Sequence, residues 1–144
     1  MTRPIRSRLL LTGAAEGLGA GIAETFARAG HDVVGLSRTH RSTEHLARRV
    51  EQAGRNYIHL TCDLTQPAAV VAAIEPHAGG IDVLIHNGHL LDIKPFEQTS
   101  ADAFEQAWRV VVRARSHEPI STFRRSTRQQ GTHEMDLRAY SERF

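Results

Sequence analysis

The sequence predicts an α/β fold in which a parallel sheet is covered by helices on both faces. Two observations carry that expectation. Short apolar runs alternate with segments of helical period from Arg8 to Val111, and the first apolar run breaks into a glycine-rich turn that opens straight into a helix. Parallel strands need such crossovers, and burial on two faces gives continuous apolar runs rather than alternating ones.

Taken in order, Arg8 to Thr12 (RLLLT) reads as the first strand. A helix follows over residues 18–29, with Leu18, Ile22, Phe26 and Ala29 on one face, and His31 to Ser37 forms the second strand. Ser42 to Ala53 is a polar-faced helix opened by Ser and Thr, and Asn56 to Thr61 is the third strand. Pro67 to Ile74 is helical, and Ile81 to Ile85 (IDVLI) is the fourth strand. Thr99 and Ser100 start a last helix in which Phe104, Ala107, Trp108 and Val111 recur at helical spacing.

Composition bounds the function. A chain of 144 residues with 40% apolar content supports one modest core, and its one cysteine, Cys62, has no internal disulfide partner. There is no apolar stretch long enough to cross a bilayer, and the basic opening MTRPIRSR leads into a segment broken by Glu16 and glycines. A soluble, cytoplasmic protein without a signal peptide or membrane partner is expected. Charge divides unevenly: residues 1–108 carry ten basic against twelve acidic side chains, and residues 109–144 carry eight against four. Two regions are therefore expected, a folded domain over 1–112 and a basic, irregular tail over 113–144.

The turn after the first strand is shaped for an anion. A strand ending at Thr12-Gly13 and a helix starting near Leu18 aim unpaired backbone N–H groups at one point, and the helix dipole adds positive potential. Glycines remove the Cβ atoms that would hold a phosphate away from the backbone, which makes Gly13, Gly17 and Gly19 candidate ligands. G-x-G-x-x-G does not fit, because Ile22 or Glu24 falls where its last glycine belongs, and no lysine follows to make a Walker loop.

The pattern that fits is T-G-x-x-x-G-x-G, Thr12 to Gly19, and it resembles the cofactor loop of the short-chain dehydrogenase/reductase family. Cys62-Asp63-Leu64-Thr65 after the third strand resembles the family's acidic position near the adenine. Ile85-His86-Asn87-Gly88-His89 matches the N-N-A-G at the end of its fourth strand in the second Asn and the small residue after it, with His86 and His89 in place of the first Asn and final Gly. The resemblance covers residues 5–112 and implies a Rossmann-like, doubly wound parallel sheet in the order 3-2-1-4, incomplete at about four strands. It also implies a dinucleotide site made of Gly13, Gly17, Leu18, Gly19, Ser37, Arg38, Asp63, Leu64, Asn87 and Gly88.

Each of these residues has a plainer explanation beside the functional one. The glycines would also serve close helix-on-sheet packing, Asp63 a loop or helix start, and Asn87 a tight turn. The nine histidines show no metal-ligand spacing and are expected to face solvent, so no metal site is expected. Leu36-Ser37-Arg38 ends the second strand without an acidic residue before Glu44, where an NAD binder carries a carboxylate for the ribose hydroxyl. Ser37 and Arg38, with Arg41 as a helper, suit a 2′-phosphate, so NADP is expected in preference to NAD.

The family's acid–base chemistry has no counterpart here. The resemblance implies hydride transfer between the nicotinamide and a carbonyl or alcohol, using a Tyr with a Lys four positions later. The only lysine is Lys94, Tyr140 is followed at that spacing by Phe144, and no Asn occurs after Asn87, so no catalytic residue is assigned. A phenol without such a cation is a poor acid–base group at neutral pH. Apolar periodicity also stops after Val112, and Pro119 to Phe123 is the longest strand-like run beyond it. The expectation is a truncated, inactive family member whose Arg-rich end arose from a lost reading frame. The competing expectation treats the tail as an arm for nucleic acid or another partner, with the glycine loop as a nucleotide sensor; its mixed charges and lack of stacking aromatics argue against nucleic acid. Without further strands, Ile81, Val83, Leu84 and Ile85 would form an exposed apolar edge open to self-association.

Overall fold

The computed structural model describes residues 7–41 and 43–113. Four strands, β1 (Arg8–Thr12), β2 (Asp32–Ser37), β3 (Tyr57–Thr61) and β4 (Val83–His86), pair in parallel in the order β3-β2-β1-β4. The helices α1 (Gly17–Arg28), α2 (Thr43–Gln52), α3 (Pro67–Ile74) and α4 (Ala101–Trp108) intervene or follow. Short 3₁₀ turns lie at Glu75–Gly80 and Phe96–Gln98, and α4 runs on as a wider π turn over Arg109–Arg113. The Rossmann-like doubly wound order expected from the sequence is therefore the order observed. Among the described residues, no helix is long and apolar enough to cross a membrane.

Register places Leu10 opposite both Val34 and Leu84, so alternate β1 side chains enter opposite layers. Leu10, Val34, Leu36, Val70 and Ile74 fill the layer under α3, while Leu9, Leu11, Val33, Leu46 and Val50 fill the layer under α1 and α2. Leu9, Leu11 and Leu36 are wholly buried, which explains why β1 and β2 read as continuous apolar runs. Buried Asp32 ties the start of β2 to the approach of β3, taking the Asn56 backbone N–H at 3.0 Å.

Several sequence expectations need correcting. The buried face of α1 is Gly19, Ala23 and Ala27, with Ile22 and Phe26 only half-buried; Leu18 is 73% exposed and Ala29 lies at the C-cap. Small residues face the sheet because α1 approaches it closely, so the bulky positions fall to the side. In α4 the expected face is also largely open: Phe104, Trp108 and Val111 are exposed, Ala107 is half-buried, and Val110 is the buried residue. Among the described residues, β4 has no strand on its outer side, but the apolar edge is not as expected, since Ile81 is buried and precedes the strand. Nor do all histidines face solvent: His31, His59, His77 and His86 are half-buried. Ser42, Pro119 to Phe123, Tyr140, and the tail beyond Arg113 with its expected partner-binding role lie outside the described residues.

Candidate dinucleotide site

The glycine turn is built by backbone contacts that tolerate no side chain. Gly13 and Gly17 have φ of 67° and 57°, the left-handed region that favours glycine. A Cβ on Gly13 would lie 3.0 Å from both the Cα and the N of Gly88. One on Gly19 would be driven into the Gly13 carbonyl and would also stand 3.0 Å from Asn87 Nδ2. At the start of α1, Glu16 occupies the N-cap without a side-chain capping bond, and no acidic residue stands in the first turn. The helix thus presents its positive end to the cavity, with Glu16, which lines the same cavity, as the carboxylate at its N-cap.

Thr12 joins this turn to the end of β4. Its side chain is wholly buried, and Oγ1 accepts the backbone N–H groups of Asn87 at 3.1 Å and Gly88 at 3.0 Å. The same oxygen lies 3.1 Å from His86 Nδ1, while His86 Nε2 lies 3.1 Å from the Val110 carbonyl. Every group is satisfied when Thr12 donates to Nδ1 and Nε2–H donates to Val110. Asn87 closes the ring by donating from Nδ2 to the Gly13 carbonyl at 3.1 Å. His86, in the position of the family's first Asn, thereby connects the glycine turn to the residues that follow α4.

Nine of the ten residues singled out from the sequence line one cavity of about 970 Å³, and Gly19 lies buried beneath it. Gly13, Gly17 and Leu18 form one wall, and Ser37, Arg38 and Arg41 stand at the β2 end. Asp63 and Leu64 come from the end of β3, and Asn87 and Gly88 from the end of β4. Apart from Gly17 and Leu18, which open α1, these lie at or just beyond C-terminal strand ends, where open α/β sheets hold ligands. Part of the plainer reading of Asp63 also holds, because its Oδ1 accepts Thr65 N and Oγ1 at 2.9 Å each. Cys62 lines the same space; burial, and then the Asp63 carboxylate, push its thiol pKa up and keep it protonated. Among the described residues no group of three His, Cys, Asp or Glu is placed to hold a metal.

Sequence reasoning missed the part played by Thr12 as hub and the arrival of Gln106, Arg109 and Val110 at the cavity. The first had a signal, since a Thr at the end of a buried strand needs polar partners. The second had none, because only the path of the chain after β4 brings α4 there.

Comparison with known proteins gives the family and the fold. A family model described as short chain dehydrogenase matches residues 7–131, and the chain belongs to that family. An uncharacterised oxidoreductase of Bacillus subtilis is 32% identical over 108 residues, a match covering 73% of this chain and 42% of that protein. The chain thus spans less than half the length of that relative. A short-chain dehydrogenase from Sphingobium yanoikuyae, solved with NADPH, superposes with a TM-score of 0.69 at 34% identity, covering 78% of this chain and 45% of the other. An NADH-dependent reductase solved with NAD gives 0.68 at 27% identity, covering 78% and 49%.

Proposed function

We propose that this chain holds the adenosine and pyrophosphate part of NADP(H), and that residues 7–113 form the dinucleotide-binding portion of a hydride-transferring oxidoreductase. One observation carries the reading: the cradle at Gly13, Gly17 and Gly19, where added Cβ atoms would strain or obstruct the backbone, opens into the cavity that Ser37 and Arg38 line. In this reading the amides at the start of α1 take the pyrophosphate, and Asp63 with Leu64 flank the adenine. Arg38 and Arg41 hold the 2′-phosphate by charge-assisted hydrogen bonds, and Ser37 joins them once its hydroxyl turns from the Thr39 carbonyl to the phosphate, in a position where a carboxylate would repel it. Asn87 and Gly88 fix the shape of the turn. When bound, the cofactor supplies the hydride.

These 144 residues contain no Tyr followed four positions later by Lys, so the role proposed for them is holding the cofactor. Fluorescence titration with NADPH and NADH, beside a carbonyl-reduction assay, tests this. Binding without turnover is expected, with NADPH the tighter ligand by about tenfold, the equivalent of one charge-assisted contact. Arg38→Asp should erase that margin and leave NADH binding intact. Equal affinities in the unaltered chain would refute the NADP preference; no affinity for either ligand in folded protein would refute the site.

A further inference from the structure

The dinucleotide reading uses Ser37 but gives no task to the polar cluster beside it. Ser37 Oγ donates to the Thr39 carbonyl at 2.9 Å and lies 3.5 Å from His59 Nε2. The Tyr57 hydroxyl is 3.3 Å from His59 Nδ1, and Thr61 Oγ1 is 2.7 Å from His40 Nε2. The His40 and His59 rings lie 4.8 Å apart, centroid to centroid, at 58°. Two imidazoles thus stand together beside Ser37, between the β2–α2 turn and β3.

We propose that His40 and His59 are a proton-controlled extension of the 2′-phosphate subsite: a proton on the pair tightens binding of a dinucleotide that carries a 2′-phosphate and leaves one without it unchanged. The proposal rests on the reading of Ser37 and Arg38 given above. Its chemistry is that of a switchable cation added to two permanent ones. Arg38 and Arg41 in the β2–α2 turn stay charged, whereas imidazole exchanges its proton within the physiological range. Rings this close take one proton far more readily than two.

The surroundings fix the sign. On β3, Tyr57 is pushed up to about 12 by burial and stays a neutral phenol, and Thr61 is uncharged. From α2, Glu44, His45 and Arg48 share a hollow with His40, and Glu44 is the carboxylate among them. Asp63 stands two residues beyond Thr61, past the end of β3. Burial, and then the charge of His40, lower the His59 pKa, while its hydrogen bond with the Thr39 backbone raises it. A phosphate dianion at Ser37 would work in the raising direction, so binding takes up a proton at and below the ordinary imidazole range of about 6.5. Imidazole gives up its proton as pH rises through that range, and the contribution goes with it. The 2′-phosphate itself gains a proton near pH 6, which weakens its own binding, so each variant is compared with the unaltered chain at the same pH.

The test is titration of the full chain, His59→Asn and His40→Gln with NADPH and NADH at about pH 8 and about pH 6. At the lower pH the NADPH-to-NADH affinity ratio of the unaltered chain should exceed that of each variant by roughly fivefold, and near pH 8 the three should agree. NADH affinity reports folding, and exposed His40 carries the test if His59→Asn does not fold. NADPH preferred at both pH values, with the same ratio in all three chains, would overturn the proposal and leave the 2′-phosphate reading standing. NADPH and NADH bound alike throughout would overturn both.

Discussion

Gly19→Ala is expected to abolish dinucleotide binding and to lower stability by about 3 kcal/mol, the upper range for forcing one methyl group into packed surroundings. The new Cβ would be driven into the Gly13 carbonyl, a backbone atom fixed by β1 on one side and held by Asn87 Nδ2 at 3.1 Å on the other. Relief can come only by lifting α1 from the sheet or by unwinding the glycine turn, and either movement scatters the amides that face the cavity. Urea denaturation and an NADPH titration on the same sample measure both effects. Gly21→Ala is the control: it lies on the exposed side of α1 with nothing within 4 Å of an added Cβ, and should gain about 0.5 to 1 kcal/mol through helix propensity. Equal midpoints for Gly19→Ala and the unaltered chain would show that the turn is not packed as described.

Thr12→Val is the second large effect. Valine keeps the shape and removes the hydroxyl, leaving the Asn87 and Gly88 N–H groups and His86 Nδ1 without the oxygen they share. At about 1 to 3 kcal/mol for each buried polar group left unpaired, a loss of roughly 3 kcal/mol is expected. Binding should weaken as well, because Asn87 anchors the glycine turn. Thr12→Ser keeps the oxygen and should recover most of both. If serine and valine behave alike in thermal melts, the hydroxyl is not the hub.

What the sequence made legible follows the strength of each physical signal. The parallel sheet and the glycine turn were readable because β1 and β2 are buried on both faces and because positive φ at Gly13 and Gly17 favours glycine, while the strand order followed from the family resemblance. The face of α1 was misread because apolar periodicity rewards size, whereas close helix-on-sheet contact selects smallness. Gly19, Ala23 and Ala27 carry little hydrophobic weight and yet form the contact. The α4 face was misread for the opposite reason. Its large apolar residues are present at the right spacing, but among the described residues Phe104 and Trp108 remain open.

The site shows the same division. Residues that line the cavity at the strand ends were named from the glycine spacing together with the family resemblance, and Ser37 and Arg38 from the missing carboxylate at the end of β2. Groups that act through a partner were not. His86 reads as a departure from a motif, and only the fold shows it bridging Thr12 to Val110. His40 and His59 are nineteen positions apart, and only the pairing of β2 with β3 brings His59 beside Ser37. Interactions of that kind belong to topology, which no local window contains.

The central claim is that backbone amides of the glycine turn hold the pyrophosphate. Backbone amide NMR of nitrogen-15-labelled chain during NADPH titration tests it most directly. The expected result is that the amides of Gly17, Leu18 and Gly19 move most, followed by those of Asp63 and Leu64 at the end of β3, while the Gly13 amide, which donates to the Leu36 carbonyl at 2.8 Å, moves less. Saturable binding that leaves the amides of Gly17, Leu18 and Gly19 unmoved would contradict the account.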